Sequence, residues 1–227
     1  MPISVLENLR NRIDAACDRA GRQNSSVGLV GASKTVAPPR LEAFFDAGLN
    51  DFGENYIQEG VLKVRHFRER GLEAQWHFIG ALQSNKAREA TENFSLIHSV
   101  DRLSLAREID KAARKIGKIQ RVLVQVNLEN EPSKAGVSPD EASQFLDVIS
   151  NLENLQIQGL MSLPPFLPEL EAMRRFHREL RELRDSLASP EMPLVELSMG
   201  MSHDFEVAIE EGATLIRVGT ALFGARS

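Results

Sequence analysis

Short apolar runs alternate along this chain with longer segments of helical period. The runs cover residues 27–32, 49–52, 76–79, 96–100, 122–126, 157–161, 194–197 and 214–218. Each has the length of a strand buried on both faces, which reads as continuously apolar rather than alternating. Between them, over residues 39–47, 56–69, 86–91, 102–116, 139–151, 169–187 and 205–210, apolar side chains recur every three or four positions, as on one face of a helix. Ser138-Pro139-Asp140-Glu141 and Asp101-Arg102-Leu103-Ser104 carry the capping residue or first-turn proline that starts a helix. Strands and helices in this order form βαβ units with right-handed crossovers, and eight units predict an α/β fold closed as a (β/α)8 TIM-type barrel. Residues 4–20 predict an extra N-terminal amphipathic helix. Only residues 219–227 follow the eighth run, too few for a full last helix, so the N-terminal helix is expected to cover the gap this leaves, or the barrel floor.

The size of the chain, 227 residues, suits one such barrel, and no linker, repeat or low-complexity stretch divides it, so residues 1–227 are expected to form a single domain. With 27 Lys+Arg against 32 Asp+Glu the net charge is −5, and there is no basic block. That argues against nucleic acid and against a membrane surface, both of which call for a positive footprint. No apolar stretch approaches the roughly 18 residues that span a bilayer, and the first residues lack a signal-peptide pattern, so a cytoplasmic location is expected. A single cysteine, Cys17, excludes an intrachain disulfide and a C-x-x-C motif.

Barrels of this kind keep their chemistry at the carboxyl ends of the strands. Lys34 follows the apolar first strand directly; it reads either as a solvated strand-end lysine or as a desolvated amine able to attack a carbonyl. The loops after the seventh and eighth strands, Ser198-Met199-Gly200-Met201-Ser202-His203-Asp204 and Gly219-Thr220-Ala221, are small and rich in glycine and hydroxyls. Loops at these two positions commonly hold phosphate. The competing reading is a helix cap at Ser202 and an ordinary turn at Gly219-Thr220. Strand alternation aims Arg217 at the barrel mouth if Gly219 approaches a ligand, and such an arginine needs an acceptor, for which Glu196 is a candidate. His77 and His98 read first as core or rim histidines, no metal-ligand spacing is present, and residues 169–184 read as a solvated helix face. The Pro164-Pro165 bond is open to either isomer.

The strings Gly31-Ala32-Ser33-Lys34-Thr35, Phe52-Gly53-Glu54-Asn55-Tyr56, Trp76-His77-Phe78-Ile79-Gly80 with Gln83-Ser84-Asn85-Lys86, Gly159-Leu160-Met161, Leu197-Ser198-Met199-Gly200-Met201-Ser202 and Arg217-Val218-Gly219-Thr220 with Phe223-Gly224 together resemble the pyridoxal phosphate homeostasis protein family. That family is similar to the N-terminal barrel of alanine racemase. The resemblance runs from the first helix to Ala225. It implies pyridoxal 5′-phosphate (PLP) as cofactor, held as a Schiff base on Lys34. It further implies a phosphate grip at Ser198, Ser202, Gly219 and Thr220, Arg217 near the pyridine nitrogen, and Asn55, His77 and Met161 around the ring. The implied role is a carrier or regulator of the intracellular PLP (vitamin B6) pool without robust turnover and without catalytic residues, with apo-PLP enzymes as recipients and a monomeric state. Three positions depart from the family pattern: Val36 stands where a second lysine is frequent, Ala81 where a proline is common, and His203 where an aspartate is common.

Two other readings compete. A PLP-dependent amino-acid racemase would need a second base opposite the cofactor lysine, and the one tyrosine of the chain, Tyr56, follows the Gly53-Glu54-Asn55 string. A PLP-free Schiff-base aldolase acting on a phosphorylated sugar is the third, and a protein yellow as purified would dispose of it.

Overall fold

A computed structural model describes residues 2–131 and 134–224. Eight parallel strands close into a barrel in sequence order: β1 (Gly28–Ala32), β2 (Asp51–Glu54), β3 (Gln75–Phe78), β4 (Leu96–Val100), β5 (Gln120–Val126), β6 (Leu155–Ser162), β7 (Glu196–Ser198) and β8 (Leu215–Val218). The ring is completed by β1 against β8, with Gly28 opposite Leu215 and Gly31 opposite Val218. Helices α1 (Pro2–Arg19), α2 (Pro38–Asp46), α3 (Ile57–Glu69), α4 (Ala87–Asn93), α5 (Leu103–Lys115), α6 (Pro139–Ile149), α7 (Leu170–Leu187), α8 (Phe205–Glu210) and α9 (Thr220–Phe223) surround it. This is the (β/α)8 barrel with an additional N-terminal helix that the pattern predicts.

Two strands lie two residues beyond their apolar runs. The second run points to 49–52, whereas β2 runs on through Gly53 to Glu54, because a buried carboxylate with its own partner is tolerated in a strand core. Likewise β7 starts only at Glu196, since Leu194 sits at φ 43°, outside the extended region. The Pro164-Pro165 bond is trans.

The main core lies between the barrel wall and the helices. There Phe52 stacks on Trp76 at 5.2 Å and Phe67 meets Trp76 edge-on at 5.1 Å. Helix α1 buries Leu6, Leu9, Ile13, Ala16 and Cys17. It packs on α8, α9 and α2, where the two short final helices leave the barrel wall thinly covered. Arg12 to Glu206 and Arg19 to Glu210, at 2.8 and 2.7 Å, tie α1 to α8 along its rim. Among the described residues no helix is long and apolar enough to cross a membrane.

Candidate functional site

At the carboxyl-terminal mouth a cavity of about 290 Å³ lies between the ends of β1 and β8, lined by Lys34, Thr35, Arg40, Gly219 and Thr220 among others. Lys34 sits in the turn just past β1, half-buried. Two backbone amides of the β8–α9 junction converge on one oxygen: Gly219 N–H and Ala221 N–H both donate to Ser202 Oγ, at 3.1 and 3.3 Å. Ser202 therefore marks a point where two amide donors and a hydroxyl meet beside the lysine cavity. Such a donor set suits a dianionic phosphate.

The loop that carries Ser202 is shaped from below. Gly200 adopts φ 88°, and a β-carbon there would lie 2.6 Å from that of Ala208, so this turn requires glycine. Buried Asp204 accepts from Met201 N–H at 2.7 Å through one oxygen and meets His177 Nε2 at 2.8 Å through the other. Burial by itself would raise the Asp204 carboxyl, but the hydrogen bond and charge of His177 outweigh it and hold the group below its ordinary value.

Arg217 points inward and is buried, donating from Nη1 to Ser198 Oγ at 2.5 Å and from Nη2 to the Ser162 carbonyl at 2.8 Å. The chain continues from Ser198 to His98 Nδ1 (2.8 Å), from His98 Nε2 to His77 Nδ1 (3.0 Å), and from His77 Nε2 to Asp51 Oδ1 (3.1 Å). Arginine only donates and an ionised carboxylate only accepts, so with neutral histidines one proton order satisfies every link: the Ser198 hydroxyl donates to His98 Nδ1, His98 Nε2–H to His77 Nδ1, and His77 Nε2–H to Asp51. The electrostatics agree for His98, which burial, then His77 and Arg217, push well below the ordinary histidine value. Burial also lowers the Arg217 guanidinium to about 10, leaving it charged at neutral pH. Glu196 is not its acceptor; that carboxylate takes the hydroxyl of Thr214 at 2.5 Å.

The sequence-predicted residues thus fall into two groups, with Met161 and Asn55 apart from both. Lys34, Gly219 and Thr220 share the mouth cavity, and Ser202 is bonded to Gly219. His77, Ser198 and Arg217 belong to the buried relay, so the Ser198 hydroxyl is engaged inside the barrel rather than among the amide donors of the cradle. Met161 is fully buried with Leu96 and Leu123 in the barrel interior. Asn55 follows β2, half-buried, and its backbone is approached so closely that a β-carbon on Gly80 would lie 2.2 Å from the Asn55 carbonyl oxygen.

Sequence reasoning did not single out Glu54, Glu59, Lys63, Asp204 or His177. A signal for Lys63 was present: it falls on the buried stripe of α3, among Ile57, Gly60, Val64 and Phe67. A charge on an apolar stripe needs a buried partner, and here that partner is Glu54. Another cavity, of about 490 Å³, lies on the opposite face beside Trp76, Arg68 and Lys118, where the Lys118 amine, lowered to about 8 by burial and by Arg121 and Arg68, is spent on the carbonyls of Thr91 and Phe94. Among the described residues no group of three or more His, Cys, Asp or Glu is arranged to hold a metal.

The sequence profile of the family described as alanine racemase, N-terminal domain, matches residues 5–227. The pyridoxal phosphate homeostasis protein of Aquifex aeolicus is 46% identical over 222 residues, covering 97% of this chain and 96% of its own. That of Escherichia coli K12 is 40% identical over 225 residues, covering 97% and 95%. The chain belongs to the alanine racemase N-terminal domain family and, within it, to the pyridoxal phosphate homeostasis proteins. A solved structure of PipY from Synechococcus elongatus PCC7942, with PLP bound, superimposes with a TM-score of 0.87 at 36% identity over 99% of this chain and 100% of that one. An alanine racemase of Clostridium difficile, at 15% identity and TM-score 0.75, shares the fold over 98% of this chain and 56% of its own length.

Proposed function

We propose that this protein binds PLP at the carboxyl-terminal mouth and serves in maintaining the intracellular PLP pool. The observation that carries the reading is the juxtaposition of Lys34 with Gly219 and Thr220 on one cavity, with Ser202 gathering the Gly219 and Ala221 amides at its edge. Bound PLP supplies an aldehyde that condenses with an amine, releasing water, and a pyridine ring able to withdraw electrons. Lys34 provides the amine for a Schiff base. Ser202, Thr220 and the Gly219 amide would hold the phosphate, whereas the Ser198 hydroxyl is engaged by Arg217 and His98 inside the barrel. Arg217 would face the ring nitrogen, and Asn55, His77 and Met161 would stand around the ring.

This arrangement favours holding over turnover. A guanidinium that is charged at neutral pH would, beside the pyridine nitrogen, disfavour its protonation and so weaken the ring as an electron sink. Tyr56, which a racemase-like second base would call upon, stands 61% exposed at the start of α3. The reading extends to a cytoplasmic monomer that exchanges PLP with apo-enzymes.

Borohydride reduction of the PLP-loaded protein, followed by peptide mapping, should place the pyridoxyl label on Lys34 alone; a label on Lys86 or Lys134 with Lys34 unmodified overturns the assignment. Incubation with L-alanine in D2O should give no multiple-turnover racemisation or α-deuteration. Turnover abolished by Lys34→Ala would establish the racemase-like alternative instead.

A further inference from the structure

Beneath the Lys34 turn lies a buried charge cluster that the proposed site does not use. Lys63 of α3 is almost wholly buried and spends its three ammonium protons on the Ser33 carbonyl (2.7 Å), Glu54 Oε1 (2.8 Å) and Glu59 Oε1 (2.6 Å). The Ser33 hydroxyl donates to the same Glu54 oxygen at 2.5 Å. On the other side of Lys34, the Thr35 amide donates to Glu59 Oε1 at 2.6 Å. Both peptide neighbours of Lys34 are therefore fastened to one Glu54–Lys63–Glu59 unit. The close approach of α3 is built in: a β-carbon on Gly60 would lie 3.1 Å from that of Glu54 and 2.6 Å from the Phe94 ring.

The cost of this arrangement is visible. Thr35 is held at φ 66°, a left-handed conformation that a β-branched residue rarely adopts. A buried ion cluster is itself weak support for stability, because apolar side chains of similar volume commonly do as well. Strain and desolvation gathered on the two residues that flank one lysine are what a device for fixing that lysine requires.

We propose that Glu59 and Lys63, seated on Glu54, are positioning residues that fix the 33–35 turn so that the Lys34 amine meets the PLP aldehyde. This rests on reading Lys34 as the Schiff-base lysine. The bond concerned is the imine between Lys34 Nζ and the aldehyde carbon, formed with release of one water; the cluster gives up no atom or proton to it.

The test compares PLP with pyridoxine 5′-phosphate, whose alcohol cannot form an imine but whose phosphate and ring are the same. Wild type, Glu59→Ala, Glu59→Gln and Lys63→Met are assayed for the rate of borohydride-trappable label at Lys34 and for pyridoxine 5′-phosphate affinity. Glu59→Ala and Lys63→Met should slow labelling about 10-fold or more, the effect of losing a hydrogen bond to a charged group, while the alcohol binds within about twofold of wild type. Glu59→Gln keeps an acceptor for Thr35 and should restore most of the rate. If Lys63→Met does not fold, the Glu59 pair decides. Equal weakening of both ligands, or no change in labelling, overturns the positioning role while Lys34 labelling in wild type stands. A wild type that takes no label at Lys34 overturns the PLP reading and this inference with it.

Discussion

Two buried cations bracket the barrel mouth, and they are neutralised in different ways. Lys63, on the β1–β2 side, has direct ion pairs with Glu54 and Glu59 at 2.8 and 2.6 Å. Arg217, on the β7–β8 side, has no carboxylate within ion-pair distance among the described residues; its contacts are a hydroxyl and a carbonyl, the hydrogen-bonded chain through Ser198 reaches a carboxylate only at its fourth link, Asp51, and the negative charge that acts on it through space is Asp204. The first arrangement locks a backbone turn, because a point charge with three donors draws three separate segments together. The second holds a planar group in orientation without a direct counter-ion, so a ligand atom facing it meets its field. One cation acts as a fastener and the other as a source of potential.

The contrast is broken most severely by Lys63→Met, which strands a buried carboxylate. Removing one member of a buried pair costs about 3–5 kcal/mol, and urea unfolding of the apo-protein should show a loss of that size. Arg217→Met strands only neutral partners and discards a desolvated charge, so it should cost less, about 1–3 kcal/mol, with an unchanged denaturant slope. Equal losses in the two variants would erase the distinction.

Acid should separate the two sides by sign. His98 has a depressed value in the fold, so its contribution is complete above the ordinary histidine value of 6.5 and is lost as the unfolded chain takes up protons below it, at about 1.4 kcal/mol per pH unit. Glu54 runs the other way. Burial raises its carboxyl more than Lys63 and Ser33 lower it, so its contribution is present below the unfolded carboxylate value and is lost as pH rises through the raised one. Below pH 6.5 His98→Asn should therefore flatten the acid loss of stability, whereas Glu54→Gln should steepen it between its raised value and the ordinary carboxylate one; identical pH profiles would contradict both assignments. The smallest effect belongs to Thr35→Gly. Relief of the left-handed strain is offset by the greater freedom of glycine in the unfolded chain, so thermal unfolding should shift by the equivalent of less than about 1 kcal/mol.

What was legible in the sequence follows the same division. Every strand announced itself as an apolar run, and the mouth residues Lys34, Ser202, Gly219 and Thr220 could be placed because barrel topology assigns loops to one face. The relay was only half visible: Arg217, His77 and Ser198 were named singly, but the pairing that joins strands three, four, seven and eight through His98 depends on how far each side chain reaches across the barrel. The Lys63 cluster was hidden for another reason. Glu59 and Lys63 stand four apart on a helix and pass for an ordinary surface ion pair unless the place of Lys63 on the apolar stripe is weighed; the depth to which α3 sinks onto β2 then buries Lys63 and leaves Glu59 part-exposed.

The pairing of β1 with β8 has a consequence for how the protein comes into being. Lys34 and the Gly219–Thr220 cradle come from opposite ends of the chain, and their common cavity exists only once strands some 190 residues apart are zipped together, as Gly28 is to Leu215. Contacts of such sequence separation form late and slowly. A nascent or partly opened barrel carries the lysine without the cradle, or neither, so a ligand that needs both binds the closed ring alone and stabilises it by mass action. On the proposed reading, occupancy of the mouth would double as an assay of completion, and cofactor supply during synthesis would help set how much barrel survives to be used.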